Sequence, residues 1–284
     1  MKKYILTAAL LLLWPIAVFS CPQIEGLIDY NCDQQIRCTF TGDSIVKGVG
    51  DRLDLGGFVG RLETKFNTVN MINLGVPGIT TLGLYRGFLK NLNKAEEGAT
   101  KKKTKNLDCL VIYVGTNDYW QNKPVKKSIR NIKRLVSYLN TKLAESTGVG
   151  PKIFVSTLIK TDRSFQQPFI SALNKQIRKA AKHGIFPMLN MDQHYPLNKS
   201  DHLHPNPKGY TRMANRFYKY IKGKMKNLQL ADRSDNDSDG LYDQVESLLF
   251  ATDSSKADTD GDGYSDGDEV LTYGTDPADS SSHP

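Results

Sequence analysis

The sequence predicts a three-layer α/β/α domain built on a mostly parallel sheet, with a small repeat module behind it. Three observations predict this. Between residues 36 and 223, short apolar runs alternate with longer stretches in which apolar residues recur at helical spacing, the pattern of a parallel sheet covered by helices on both faces. The run 107–114 is almost continuously hydrophobic, as a central strand buried on both sides must be. After Leu230 the composition turns abruptly to Asp, Gly and Ser and repeats at an offset of 23 residues, which marks a repeated structural unit.

Taken in order, residues 1–20 have the form of a secretory leader. Lys2 and Lys3 precede an apolar run from Tyr4 to Phe19, and Val18-Phe19-Ser20 leads to Cys21. A membrane-spanning helix is the rival, but Pro15 interrupts the run and it is short for a bilayer. Residues 21–35 form a cysteine-containing segment. Val-Phe-Ser-Cys resembles a bacterial lipobox, in which Cys21 is lipidated, although Phe19 is unusual there; ordinary cleavage after Ser20 instead leaves Cys21 for a disulfide. Cys109 lies in the apolar run and reads as an inert core thiol. With Cys21 lipidated, Cys32 and Cys38 can close a short loop in an oxidising compartment. A Cys21–Cys32 or Cys21–Cys38 bridge leaves one thiol over, and both alternatives stand.

Strands are expected over 36–40, 69–74, 107–114, 152–158 and 185–191, and helices over 80–92, 125–143, 165–182 and 207–221. They place the α/β domain at 36–226, a linker at 227–234 and the repeat module at 235–284. Charge divides the same way. Residues 231–284 hold fifteen Asp and Glu against Arg233 and Lys256, a net −13, so the remaining 230 residues carry +21. A body this basic favours anionic surfaces such as lipid headgroups or envelope polymers. Nucleic acid is not expected, because no recognition motif or basic–aromatic stripe accompanies the charge.

Four short motifs carry chemistry. Gly42-Asp43-Ser44 follows the first strand, Gly75 lies in Asn73-Leu74-Gly75-Val76-Pro77-Gly78, Gly115-Thr116-Asn117-Asp118 ends the apolar run, and Asp201-His202-Leu203-His204 comes late in the domain. Ser44, Gly75 and Asn117 fall just past strand ends, where open α/β sheets bind ligands. A serine hydroxyl needs a base within hydrogen-bond reach and a group to orient that base. His204 and Asp201 suit those roles. A developing oxyanion needs fixed donors, available from the N–H groups of Ser44 and Gly75 and the amide of Asn117. Glycine at 75 also lets the backbone approach a substrate.

Together these blocks resemble the SGNH/GDSL hydrolase superfamily over roughly residues 35–225. The resemblance implies an SGNH/flavodoxin-like fold and a serine esterase, with Ser44 as nucleophile, His204 as base, Asp201 as acid member and Ser44, Gly75 and Asn117 as oxyanion donors. Ile45 stands where a leucine is common. A Gly-x-Ser-x-Gly elbow is absent from the sequence, which argues against the α/β-hydrolase fold. Beside this, Asp43 and Asp118 read as scaffold residues, His202 as a surface residue and Asp192 with His194 as a strand end. Trp120 lines an acyl pocket or packs its loop. The expected partner is an ester substrate: a small molecule, lipid or acylated glycan, with short-acyl or O-acetyl groups of envelope material favoured. Two rivals are a calcium-dependent surface-binding protein with a little-used hydrolase domain, and an acyltransferase.

The repeats have calcium-loop spacing. Asp235, Asp237, Asp239, Gly240, Asp243 and Glu246 occupy positions one, three, five, six, nine and twelve, and Asp258, Asp260, Asp262, Gly263, Asp266 and Glu269 repeat them. Backbone carbonyls of Leu241 and Tyr264 would take position seven. Alternate side chains converge on one point, glycine permits the turn, and the last Glu closes the site. With no entering helix and a short exiting one over 245–250, the module resembles bacterial thrombospondin type 3 repeats, which implies structural Ca2+; catalysis needs no cofactor. The expected location is outside the cell: secreted, or an outer-membrane or surface lipoprotein of a bacterium, with membrane attachment only through a lipidated Cys21.

Overall fold

The computed structural model describes residues 23–24, 27–29, 34–92, 106–144, 151–225, 235–241, 243, 246, 250, 252–273, 275 and 277–282. Residues 1–20, Cys21, Cys32 and residues 227–234, on which the expected leader, lipidation, loop disulfide and linker fall, lie outside these residues. A two-stranded antiparallel pair, β1 (Gln23–Ile24) and β2 (Leu27–Ile28), precedes the main sheet. Five parallel strands then form a sheet in the order β4-β3-β5-β6-β7, from β3 (Ile36–Gly42), β4 (Val69–Gly75), β5 (Cys109–Tyr113), β6 (Lys152–Ser156) and β7 (Met188–Leu189). Every residue of β5 is buried, in keeping with its unbroken hydrophobicity.

Helices α1 (Ser44–Lys47), α2 (Gly57–Glu63), α3 (Thr81–Leu92), α4 (Val125–Ala144), α5 (Gln167–Lys182) and α6 (Pro207–Met225) pack on the sheet. Pro207 opens α6 where its missing N–H costs nothing. Phe40 of β3, Phe58 of α2 and Phe217 of α6 meet in one aromatic cluster with centroids 4.6–5.6 Å apart. The expected strands and helices are present. The β1–β2 pair, α1 and α2 are additional, and the strand expected over 185–191 contracts to Met188–Leu189 because Pro187 ends its ladder donors on one side and Asn190 turns the chain on the other.

The cysteine reading needs correction. Cys38 and Cys109 are paired in the register of β3 and β5 and form a disulfide, with Cα atoms 4.6 Å apart. Cys38 therefore does not close a loop with Cys32, and Cys109 is not a free core thiol. Neighbouring strands set side chains of registered residues side by side, a proximity that 71 residues of separation conceal.

The repeat module is docked on the α/β domain. Leu241 and Val270 are fully buried in the same hydrophobic core. Tyr85 of α3 donates its hydroxyl hydrogen to the Val270 carbonyl at 2.7 Å. Val270 lies in a turn of π-helix, Glu269–Tyr273, that continues the short α7 (Asp266–Asp268). Residues of the helix expected over 245–250 fall largely outside the described set. Among the described residues no helix is long and apolar enough to cross a membrane.

Candidate active site

Ser44 is the first residue of α1, placed at the carboxyl end of β3 by a tight approach of β3 to β5. A Cβ on Gly42 would lie 1.7 Å from the Tyr113 carbonyl oxygen, so only glycine fits there. Asp43 caps α1, accepting from Ile45 N–H at 3.0 Å. Its carboxyl is fully buried, which raises it to about 6; the bond from Ile45, interaction with Thr116 and the nearby His204 ring pull it only partly back.

His204 Nε2 is 2.8 Å from Ser44 Oγ, and His204 Nδ1 is 2.7 Å from Asp201 Oδ2. An ionised carboxylate only accepts, so the proton belongs on Nδ1 and the lone pair of Nε2 faces the serine. Asp201 Oδ1 accepts from the N–H groups of Leu203 and His204 at 2.9 and 3.0 Å. Burial raises the Asp201 carboxyl but is outweighed by these bonds and by His204, leaving it below its ordinary value. Asn198, which no motif signalled, ties the turn down. Its N–H and side-chain amide donate to the His204 carbonyl at 2.8 and 3.2 Å, and the amide also reaches the Gly50 and Pro205 carbonyls.

The oxyanion donors are unequal. Ser44 N–H stands at the first position of a helix, where there is no carbonyl a turn behind it. Asn117 Nδ2 uses one hydrogen on the Ile79 carbonyl at 3.0 Å, which leaves the other. Gly75 N–H instead donates to Asn73 Oδ1 at 2.9 Å, while Asn73 Nδ2 holds the Val46 carbonyl at 2.8 Å. The need for glycine at 75 is also different from the one expected. A Cβ there would sit 2.2 Å from Lys47 N, so the residue makes room for α1.

Asp118 is fully buried and accepts from Thr81 N–H, Thr81 Oγ1 and Ser128 Oγ at 2.9, 2.6 and 2.8 Å, which locks the Asn117 turn to α3 and α4. His202 is exposed at φ 56°, with its backbone alone engaged: the carbonyl accepts from Thr161 Oγ1 and Asp162 N–H, and its N–H donates to the Asn198 carbonyl. Asp192 pairs with Arg178 and His194 with Asp162, so they form no dyad. Trp120 stands exposed at the rim in edge contact with Tyr119 and Phe165. A cavity of about 350 Å³ opens beside Gly75, walled by Val76, Ile79, Leu84 and Phe88.

The two acidic loops make the same bonds 23 residues apart. Gly240 N–H donates to Asp235 and Gly263 N–H to Asp258; Leu241 N–H donates to Asp239 and Tyr264 N–H to Asp262. The ninth-position residues Asp243 and Asp266 accept from the backbone of Asn236 and Thr259. Carboxylate oxygens of Asp235, Asp237 and Asp239 converge within 4.8 Å, as do those of Asp258, Asp260 and Asp262. Asp266, expected in the second loop alone, also meets Asp239 and Glu246 of the first. Oxygens of Asp235, Asp237, Glu246, Asp260, Asp262 and Glu269 are buried without hydrogen-bond partners. Burial first, then neighbouring carboxylates, raise Glu246 to about 8 and Glu269 to about 7. Buried, partnerless oxygens that repel one another fit a hard cation.

Comparison with known proteins agrees with this geometry. Residues 40–212 match the model of the GDSL-like Lipase/Acylhydrolase family, and residues 258–280 that of the bacterial TSP3 repeat. The fold is similar to that of a carbohydrate acetylesterase family member from Sinorhizobium meliloti, with 17% identity and a TM-score of 0.52 over 68% of this chain and 100% of that one. It is also similar to an aryl esterase from M. smegmatis, with 15% identity and a TM-score of 0.53 over 66% and 99%. A lipolytic G-D-S-L protein from Veillonella parvula gives 17% and 0.51 over 65% and 97%. No curated protein matches the sequence.

Proposed function

The chain belongs to the GDSL-like lipase/acylhydrolase family and is a carboxylic ester hydrolase, and from that premise we propose that it cleaves esters through an acyl-enzyme on Ser44. The observation that carries this is the unbroken chain Ser44 Oγ–His204–Asp201, with contacts of 2.8 and 2.7 Å. Ser44 Oγ attacks the ester carbonyl as its proton passes to His204 Nε2. Asp201 stabilises the imidazolium from the Nδ1 side. The oxyanion is received by Ser44 N–H and the free hydrogen of Asn117, and by Gly75 N–H as it turns from Asn73. His204 then returns the proton to the leaving alcohol. A water, deprotonated by the same nitrogen, releases the acid and restores Ser44.

The cavity beside Gly75 gives a short acyl group room. Short-acyl or O-acetyl esters of envelope or extracellular material are the substrate class we favour, a leaning that the carbohydrate acetylesterase likeness in fold is compatible with. We assign structural calcium to the two acidic loops, held by the carboxylates of Asp235, Asp237, Asp239, Glu246, Asp258, Asp260, Asp262, Asp266 and Glu269, by the carbonyls of Leu241 and Tyr264, and by Asp243 through water; the ion would neutralise the buried oxygens. Residues 1–20 would direct export. The test is a chain-length series of chromogenic esters with Ser44→Ala alongside. Turnover that falls about 10³-fold or more in the variant supports the reading; equal turnover in both proteins would sink it.

A further inference from the structure

Six of the seven large hydrophobic side chains exposed among the described residues lie on segments that follow the carboxyl ends of β3, β4, β5 and β6: Val49, Leu53, Leu55, Val76, Trp120 and Phe165. The seventh, Tyr273, packs on Tyr264 in the repeat module. The six belong to the loops that carry or touch the candidate catalytic groups. Val49, Leu53 and Leu55 follow the helix that starts at Ser44, in a loop whose Gly50 carbonyl is held by Asn198 beside His204. Val76 is next to Gly75, and Trp120 lies three residues beyond Asn117. Phe165 stands on a loop fastened under the acid–base turn, where Arg163 Nε donates to the Asp201 carbonyl at 2.7 Å and Thr161 Oγ1 to the His202 carbonyl at 2.8 Å. Exposed apolar side chains scattered singly are ordinary, but a ring of them around one site marks a contact surface.

Charge identifies what the ring meets. Exposed Lys47 at the end of α1, exposed Arg52, half-buried Lys123 and Lys160, and exposed Lys199 on the acid–base segment stand beside them in the chain. Of the exposed or half-buried acids there, Asp51 is neutralised by Arg61, which leaves Asp54, Asp162 and Asp201 against the five cations. Aliphatic and aromatic tips inside a cationic collar match a surface with acyl chains below and anionic headgroups above. A sugar would need donors and acceptors where Val49, Leu53, Leu55 and Val76 offer none. We propose that the catalytic face docks on an anionic lipid surface and that the ester it cleaves is presented there. This rests on the ester-hydrolase reading of Ser44.

Trp14 and Trp120 are the two tryptophans of the chain, so a protein of residues 22–284 reports on Trp120 alone. That protein keeps every described residue and lacks both the apolar leader and Cys21. It would be mixed with phosphatidylglycerol–phosphatidylcholine vesicles and with phosphatidylcholine vesicles, following Trp120 emission, co-sedimentation and turnover of a soluble chromogenic acetate. The expected result is a blue shift and co-sedimentation with the anionic vesicles, both lost at high salt. Leu53→Asp with Leu55→Asp should abolish vesicle binding and leave acetate turnover intact. No shift and no sedimentation, with serine-dependent turnover preserved, overturns the docking and leaves the hydrolase standing. Vesicle binding without acetate turnover would tell against the hydrolase alone. A shift with soluble acetylated xylan and not with vesicles, or a dimer whose Trp120 is already shielded, also overturns it.

Discussion

At the scale of single residues, Ser44, His204, Asp201 and Asn117 were legible because each sits in a short motif whose spacing reflects one turn of backbone. The roles of Asn73 and Asn198 were not, since their distant partners, the Val46 carbonyl for one and the Gly50 carbonyl for the other, are decided by the fold. Asp43 offers a test at this scale. Its raised carboxyl means that the folded protein resists the charge. Below pH about 4 the acid is protonated in folded and unfolded chains alike and costs nothing. As pH rises the unfolded chain ionises first, and stability is lost until the folded group ionises near pH 6. Asp43→Asn keeps an acceptor for Ile45 N–H and removes that cost. Relative to the parent, the variant should therefore be more stable against unfolding at pH 8 than at pH 4, by about 3 kcal/mol. Denaturant midpoints at the two pH values check this; an unchanged difference would mean that Asp43 is not held against ionisation.

Among the elements, periodicity found α3, α4, α5 and α6 but not α2. Gly56 and Gly57 both have positive φ, at 68° and 67°, which does not favour a helix. The helix begins there all the same, because Asp51 accepts Gly57 N–H at 3.0 Å and Phe58, Val59 and Leu62 reach the core. Tertiary contact outweighed local propensity. Helix α3 joins two functions: its start is locked to Asp118 and its inner face walls the cavity beside Gly75. Gly87 lines that cavity with nothing within 4 Å of where a Cβ would point. Gly87→Leu should fill it, with a helix-propensity gain of up to about 1 kcal/mol. Acetate esters should then be hydrolysed at the parent rate while the longest tolerated acyl chain shortens. A chain-length profile identical to the parent's would show that the acyl group lies elsewhere.

For the whole molecule, the five-stranded parallel sheet and the acidic repeats could be read from alternation and offset. The Cys38–Cys109 disulfide, the sharing of Asp266 between loops and the burial of Leu241 and Val270 could not, because each depends on the register of segments far apart in the chain. Calcium and the catalytic domain should therefore unfold as one system. Chelation by EGTA is expected to lower the melting temperature of the whole chain, corresponding to about 3 kcal/mol where the ion had been at a hundred times its Kd. Val270→Ala should lower it even with calcium present, corresponding to a loss of about 2 kcal/mol in stability. Calorimetry distinguishes this from two separate transitions, of which only the repeat's would move with calcium.

The seating of Val270 against α3 also gives the molecule an order of events. The α/β domain leaves the ribosome first, with one patch of its core awaiting side chains from the last fifty or so residues, which arrive on loops whose crowded carboxylates resist folding without a cation. On the exported reading, calcium plentiful enough to close those loops is met outside the cell. Synthesis would end inside with an unfinished enzyme, and crossing the envelope would complete it. On that reading the repeats would act as a timer on maturation, and the hydrolase would reach full stability only once outside the cell.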